Sequence, residues 1–388
     1  MLLLQVIVIS GCTRDRVDTP PETLLAWTKP VEIEGMMFYN ESLTTTPDGG
    51  FLVSGYTYHE DNPLTHAMVI RFSSGGNRMW WQQYDIDGYS KIYGDYAVQK
   101  SDGSIILTGS CWEEGMAAST FMAFLDEDGN LLRKVLREVP ANRVITDRKI
   151  LLPSDGTILL ACQSVNDDAA TLTGRSSLVI DHLTGEGDLT GSREYANTSA
   201  LLDQTFMTDE GDIFLAGATR PEKVPESLDD LEILFLLIDN AGNEVYRVTG
   251  GTNSWDSGLS VAPSYDGGYS MAGMLTYERQ PVLFPVSRNG TPGEQVSVAD
   301  TIHTYGLVIK QIGNREYLLL NQSRTRVYFS KLRSDLSTVW TTWFDNPFTS
   351  DFYPPFIKDM IRLNDGSFAF LYFSDETGYT INRTVPFN

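Results

Sequence analysis

The chain has 388 residues, 41% of them hydrophobic and 21% charged, the balance of a soluble globular protein. Its formal net charge is −22. Such an acidic surface repels nucleic acid and anionic lipid head groups, which argues against a nucleic-acid binder and leaves neutral, cationic or metal-bridged ligands.

Residues 1–9 form an apolar run, too short to cross a bilayer but suited to the core of a signal peptide. Ile9-Ser10-Gly11-Cys12 follows directly and resembles the bacterial lipobox, in which small residues precede a cysteine that is lipidated and becomes the mature N-terminus. The resemblance implies a lipoprotein signal peptide over 1–11 and a lipid on Cys12. Residues 12–23, polar and carrying two prolines, read as a tether. The remaining span, 24–388, is expected to be one domain, because a repeat runs through all of it.

That repeat is an Asp-Gly turn opening a short apolar strand. It is plainest at Asp48-Gly49-Gly50-Phe51, Asp102-Gly103-Ser104-Ile105, Asp155-Gly156-Thr157-Ile158, Asp266-Gly267-Gly268-Tyr269 and Asp365-Gly366-Ser367-Phe368, with weaker copies at Glu210 and Asn314. The anchors 48, 102, 155, 210, 266, 314 and 365 are spaced by 54, 53, 55, 56, 48 and 51 residues. A period near 50 marks a repeat architecture.

The second repeat is the clearest template. Tyr93–Gln99 predicts a first strand, Ser101–Ser104 a tight turn, Ile105–Gly109 an apolar second strand, Thr120–Leu125 a third, and Leu131–Leu136 a fourth after an Asp-Gly-Asn turn. Four antiparallel strands repeated in this way predict an all-β fold, a seven-bladed β-propeller. After the last turn only two further strands fit before residue 388, so Leu24–Thr28 is expected to complete the last blade and close the ring. Trp27 then stands where Trp80 or Trp81 and Trp340 stand in other repeats.

The Asp-Gly-Gly-Phe/Tyr turn and strand, with a later Gly-Asn turn and a Trp-bearing strand, resembles the repeat of Bacteroidetes-type β-propeller lipoproteins. The resemblance implies an envelope location, with the outer membrane as the anchoring surface, and little defined chemistry. The WD, kelch and sialidase Asp-box patterns do not fit the spacing.

No motif assigns a reaction. The four histidines lack metal-ligand spacing, although His59 and His66 bracket an acidic loop, and no nucleophile elbow, phosphate loop, EF-hand or cofactor motif is present. Cys111 and Cys162 fall in neighbouring repeats, where either a disulfide or two free thiols is compatible with the sequence. The regular Gly turns should occupy one rim of the propeller and the long, varied loops the other. That makes the loop-rich rim the candidate binding face. Its candidate residues are Tyr58, His59, Trp112, Arg220, Trp255, Tyr277, Arg279, Arg324 and Tyr353, with Tyr56 beside Tyr58 on the same face. Aromatics beside charged groups suit a sugar or a peptide. The expected function is therefore a monomeric, lipid-anchored module that binds or scaffolds a glycan or protein partner. The alternatives are an envelope glycan hydrolase or lyase with carboxylates on that rim and, third, a quinoprotein-like site.

Overall fold

The structure is a computed structural model; it describes residues 20–387 apart from 22, 35, 60–61, 115–117, 141–142, 167–175, 197, 201–204, 209, 220–231, 251–255, 276–279, 299–305, 314, 324–325, 346–356 and 375–377. Within them the regular structure is β throughout, and antiparallel except at one bridge. The template repeat forms as its residues dictate, with strands Lys91–Gln99, Ile105–Trp112, Ser119–Leu125 and Leu131–Glu138.

Its turns form for the reason that put Asp and Gly there. Gly103 N–H donates to Lys100 O at 3.1 Å and Lys100 N–H to Ser104 O at 2.8 Å, while Asp102 Oδ1 accepts from Ser104 N–H at 3.0 Å. The intervening residue needs positive φ, and Gly103 supplies it at +89°. The same carboxylate cap recurs on Gly50, Thr157, Gly268 and Ser367.

The strands assemble as a β-propeller. In the blade-sized sheets the first strand of the repeat lies at one end of the order, and first strands of neighbouring repeats touch: Met37–Thr45 with Lys91–Gln99, the latter with Arg143–Leu151, then Asp256–Pro263 with Gly306–Gln311, and Ile357–Arg362 with both Gly306–Gln311 and Met37–Thr45. The core accordingly lies between sheets. Leu52 and Val69 pack against Leu107, Phe121 and Ala123 on one side of the first repeat, while Val53 and Ile70 pack against Ala369, Leu371 and Ile381 on the other. Each fully buried side chain of this kind contributes about 1.5–3 kcal/mol.

The ends clasp as expected. Leu25–Pro30 pairs antiparallel with Gly378–Thr384, giving the order Leu25–Pro30, Gly378–Thr384, Phe368–Ser374, Ile357–Arg362. Trp27 proves equivalent to Trp80. A Cβ on Gly76 would lie 2.7 Å from the Trp27 ring, and one on Gly129 would lie 2.8 Å from the Trp80 ring. Arg193 on Gly242 and Tyr246 on Gly290 repeat the arrangement, so an outer strand of one repeat is pressed against the hairpin turn of the next.

The expected seven-bladed propeller is corrected: among the described residues the strands form five blade-sized sheets, not seven. Hydrogen bonding gives six sheets: five of blade size, one of which has five strands, and one eight-stranded sheet spanning Met37–Glu138. Two local events cause this. In the fourth repeat the first strand is broken into Ser199–Ala200 and Phe206–Met207, both pairing with Ile213–Thr219. Between the first and second repeats, a parallel bridge joins Thr65 to Lys91, with Thr65 N–H donating to Ser90 O at 3.1 Å and Ile92 N–H to Thr65 Oγ1 at 2.8 Å. A sequence period reports the spacing of strands and carries no record of where neighbouring sheets fuse.

Cys111 and Cys162 are both free and buried. Burial pushes their thiols up to about 11 and about 12 respectively, which removes them as nucleophiles at neutral pH.

Candidate functional site

The joint between the first two repeats also builds a cavity. Strand register sets Tyr39 opposite Tyr56 and Tyr58 opposite Thr65, and the bridge brings Thr65 beside Lys91. With Tyr93 these residues line a space of ≈ 360 Å³. That volume falls in the range of small-molecule sites, about 300–1,000 Å³. Because successive strand residues face opposite ways, Tyr56 and Tyr58 share a face, as do Lys91 and Tyr93.

The tyrosines are arranged as a platform and a wall. Tyr39 and Tyr56 stack with centroids 5.2 Å apart at 14°, and Tyr93 meets Tyr56 edge-on at 4.8 Å and 83°. Tyr39 remains 40% exposed, so one ring face is open. Burial, aided by the charge of Glu41, pushes the Tyr56 phenol up to about 12. It therefore stays protonated at neutral pH and keeps a proton to donate. At the edge, Lys91 Nζ lies 4.9 Å from the centre of the Trp112 ring, its cross-strand partner, a cation–π contact that holds an otherwise exposed indole.

Of the residues expected on the rim, the structure brings three to this place. Tyr56 and Tyr58 line the cavity, and Trp112 borders it through Lys91. His59 ends the strand Phe51–His59, paired with Asn62; its side chain lies outside the described residues. Arg220, Trp255, Tyr277, Arg279, Arg324 and Tyr353 lie outside the described residues, as does Cys12. His66 pairs with Asp85, and no group of three or more metal-ligating side chains occurs among the described residues.

Sequence reasoning missed Tyr39, Thr65, Lys91 and Tyr93. A signal for two of them was present: Tyr39 and Tyr93 each stand nine residues before their turn anchors, 48 and 102. They lie on first strands, whose inward residues read as packing. A second missed pattern is acidic. Register shifts between Asn40 and Ser42, Gly94 and Tyr96, and Thr146 and Arg148 leave Glu41, Asp95 and Asp147 as the extra residues at bulges of three consecutive innermost strands. Bulges re-aim side chains. Asp95 Oδ2 accepts from Arg148 Nη1 at 2.5 Å, tying one innermost strand to the next. None of these acids lines the tyrosine cavity.

Two other spaces are less suited to a ligand. One of ≈ 680 Å³ on the turn rim is walled by Asp48, Gly49, Asp365 and Arg383, whose carboxylates are engaged by Arg71 and Arg383. One of ≈ 180 Å³ lies between the second and third repeats, over Cys162 and the Arg137–Asp181 ion pair.

No family model matches the chain, and no curated protein matches it. Among solved structures it is similar to the polysaccharide lyase Uly1, with a TM-score of 0.53 and 10% identity over 90% of each chain. It is also similar to the Dos1 propeller, with a TM-score of 0.53 and 10% identity over 94% of this chain and 96% of that one. A third is the β-propeller domain of the Trilobed protease from Pyrococcus furiosus, described as having an open velcro topology, with a TM-score of 0.51 and 9% identity over 89% and 93%. At such identities the likeness establishes the β-propeller fold and no activity.

Proposed function

We propose that the chain is a glycan-binding β-propeller, carried on the bacterial envelope by a lipid at Cys12, whose ligand enters the tyrosine-lined cavity between the first two repeats. The observation that carries the reading is the Tyr39–Tyr56 stack with Tyr93 standing against it around a ≈ 360 Å³ space. Flat apolar ring faces fringed by phenol hydroxyls complement a pyranose, which offers C–H faces and equatorial hydroxyls. Tyr58 and Trp112 extend the aromatic lining and its border.

The competing reading is a hydrolase or lyase. Hydrolysis calls for a pair of carboxyl groups across the scissile bond, about 5–10 Å apart. The described residues that line this cavity include no carboxylate. Proton abstraction calls for a base near neutral pH, and Tyr56 titrates far above it. The binding reading is the better supported.

A glycan array probed with the full chain and with Tyr39→Ala tests it. Retention of one glycan class, lost in the variant, is the expected result. Equal retention by both proteins, or none by either, would sink the assignment. For the lipid, Cys12→Ala is expected to move the protein from the membrane to the soluble fraction; continued membrane association would remove the anchor from the proposal.

A further inference from the structure

Each described charged or polar side chain that lines the tyrosine cavity can donate a hydrogen bond: four phenols, the Thr65 hydroxyl and the Lys91 ammonium. An ammonium has no acceptor capacity at all. Among the described residues Lys91 forms no ion pair, and its contact is the face of Trp112. Two acids act on this cavity from outside its described lining. Glu113, on which the Lys91 charge acts, is hydrogen-bonded to Ser90, and Glu41, whose charge acts on Tyr56, is absent from the lining. In a chain of net charge −22, the described residues that line this cavity contribute one cation and no carboxylate.

From this, and resting on the reading of the cavity as a glycan site, we propose that the sugar it takes carries a carboxylate, as in the uronic-acid residues of acidic polysaccharides, and that Lys91 selects it by its charge. The carboxylate would sit at the Lys91 edge, within reach of a phenol proton. The ring would lie on the open face of Tyr39. A free peptide carboxylate would satisfy Lys91 but leaves the stacked platform and the ring of hydroxyl groups without a complementary face. The sugar is therefore the better fit.

Titration calorimetry on the full chain, with three probes, tests the inference: a uronic-acid oligosaccharide, the same oligosaccharide with each carboxyl reduced to a primary alcohol, and a short peptide with a free C-terminus. The acidic sugar is expected to bind about tenfold or more tightly than its reduced counterpart, the scale of one hydrogen bond to a charged group. That ratio should shrink as salt is raised. Lys91→Gln should bring the ratio towards one and Lys91→Arg should restore it, with circular dichroism showing that both variants fold. A wild-type ratio of one, or a ratio untouched by Lys91→Gln, overturns the charge selection and leaves the glycan reading standing. Binding of neither sugar, or preference for the peptide over both, overturns the two together.

Discussion

The two rims of this propeller are made from the same strands by opposite rules. On the turn rim five repeats solve one problem identically: an Asp caps the backbone and a Gly takes positive φ, at 49, 103, 156, 267 and 366. On the loop rim the connecting sequences differ in length and composition from repeat to repeat. There a single backbone bridge between Thr65 and Lys91 fuses two sheets and, in doing so, gathers residues from three strands of the first repeat and one of the second around a cavity. The contrast teaches that repetition here serves assembly, whereas the candidate site depends on a place where the repeat is broken. Substitutions on the turn rim should change stability and leave binding alone; those around the cavity should do the reverse.

The largest expected effect is at Gly129. Its φ is +83° and a Cβ would lie 2.8–2.9 Å from the Trp80 ring, so Gly129→Ala combines left-handed strain with overpacking of a buried seam. A loss of about 2–4 kcal/mol in denaturant unfolding is expected. Next comes Tyr39→Ala. It removes the open platform of a 40% exposed residue, and should cost about tenfold in glycan affinity while lowering stability by only about 1 kcal/mol, the scale of the lost Tyr56 stack. An unfolding change as large as that of Gly129→Ala would erase the distinction between the rims. Gly156→Ala sharpens it from the other side: φ is again +83°, but nothing lies within 4 Å of the added Cβ, so strain alone remains, about 1 kcal/mol.

The smallest effect is a pH slope. Asp48 is held down to about 2, against an ordinary 3.8, chiefly by the Thr46 hydroxyl and the Arg71 guanidinium. A lowered folded-state value means the stabilisation is complete above pH 3.8 and drains away as the pH falls towards 2. Asp48→Asn should flatten the stability profile in that window, as read by thermal unfolding at stepped pH; an unchanged slope would show that Arg71 gains nothing from the carboxylate charge.

How much of this was legible depended on range. The template strands and the clasp could be read because turn chemistry and strand alternation are local. The joint at Thr65 could not, because one parallel bridge leaves no mark in composition or period. The site was half legible. Tyr56, Tyr58 and Trp112 stand out as rim aromatics, yet the platform also needs Tyr39 and Tyr93, and its three rings all lie on strands. Searching the loops for variation passed over Tyr39 and Tyr93, whose equivalent positions make them look like packing. Their function as neighbours arises only when Tyr56 comes between them.

The clasp has a consequence for how the molecule is made. Leu25 finds its partner in Thr384, so the sheet that locks the ring unites nearly the first and last residues described. Thr28 meets Asn382, 354 residues further along, so Leu25–Pro30 must wait for that distant partner before its hydrogen bonds exist. Ring closure is thus a step of the slow, high-contact-order kind. Until it happens, Leu25–Pro30 has no edge to pair with, and whatever holds that segment apart from other unpaired strands governs the yield of folded protein.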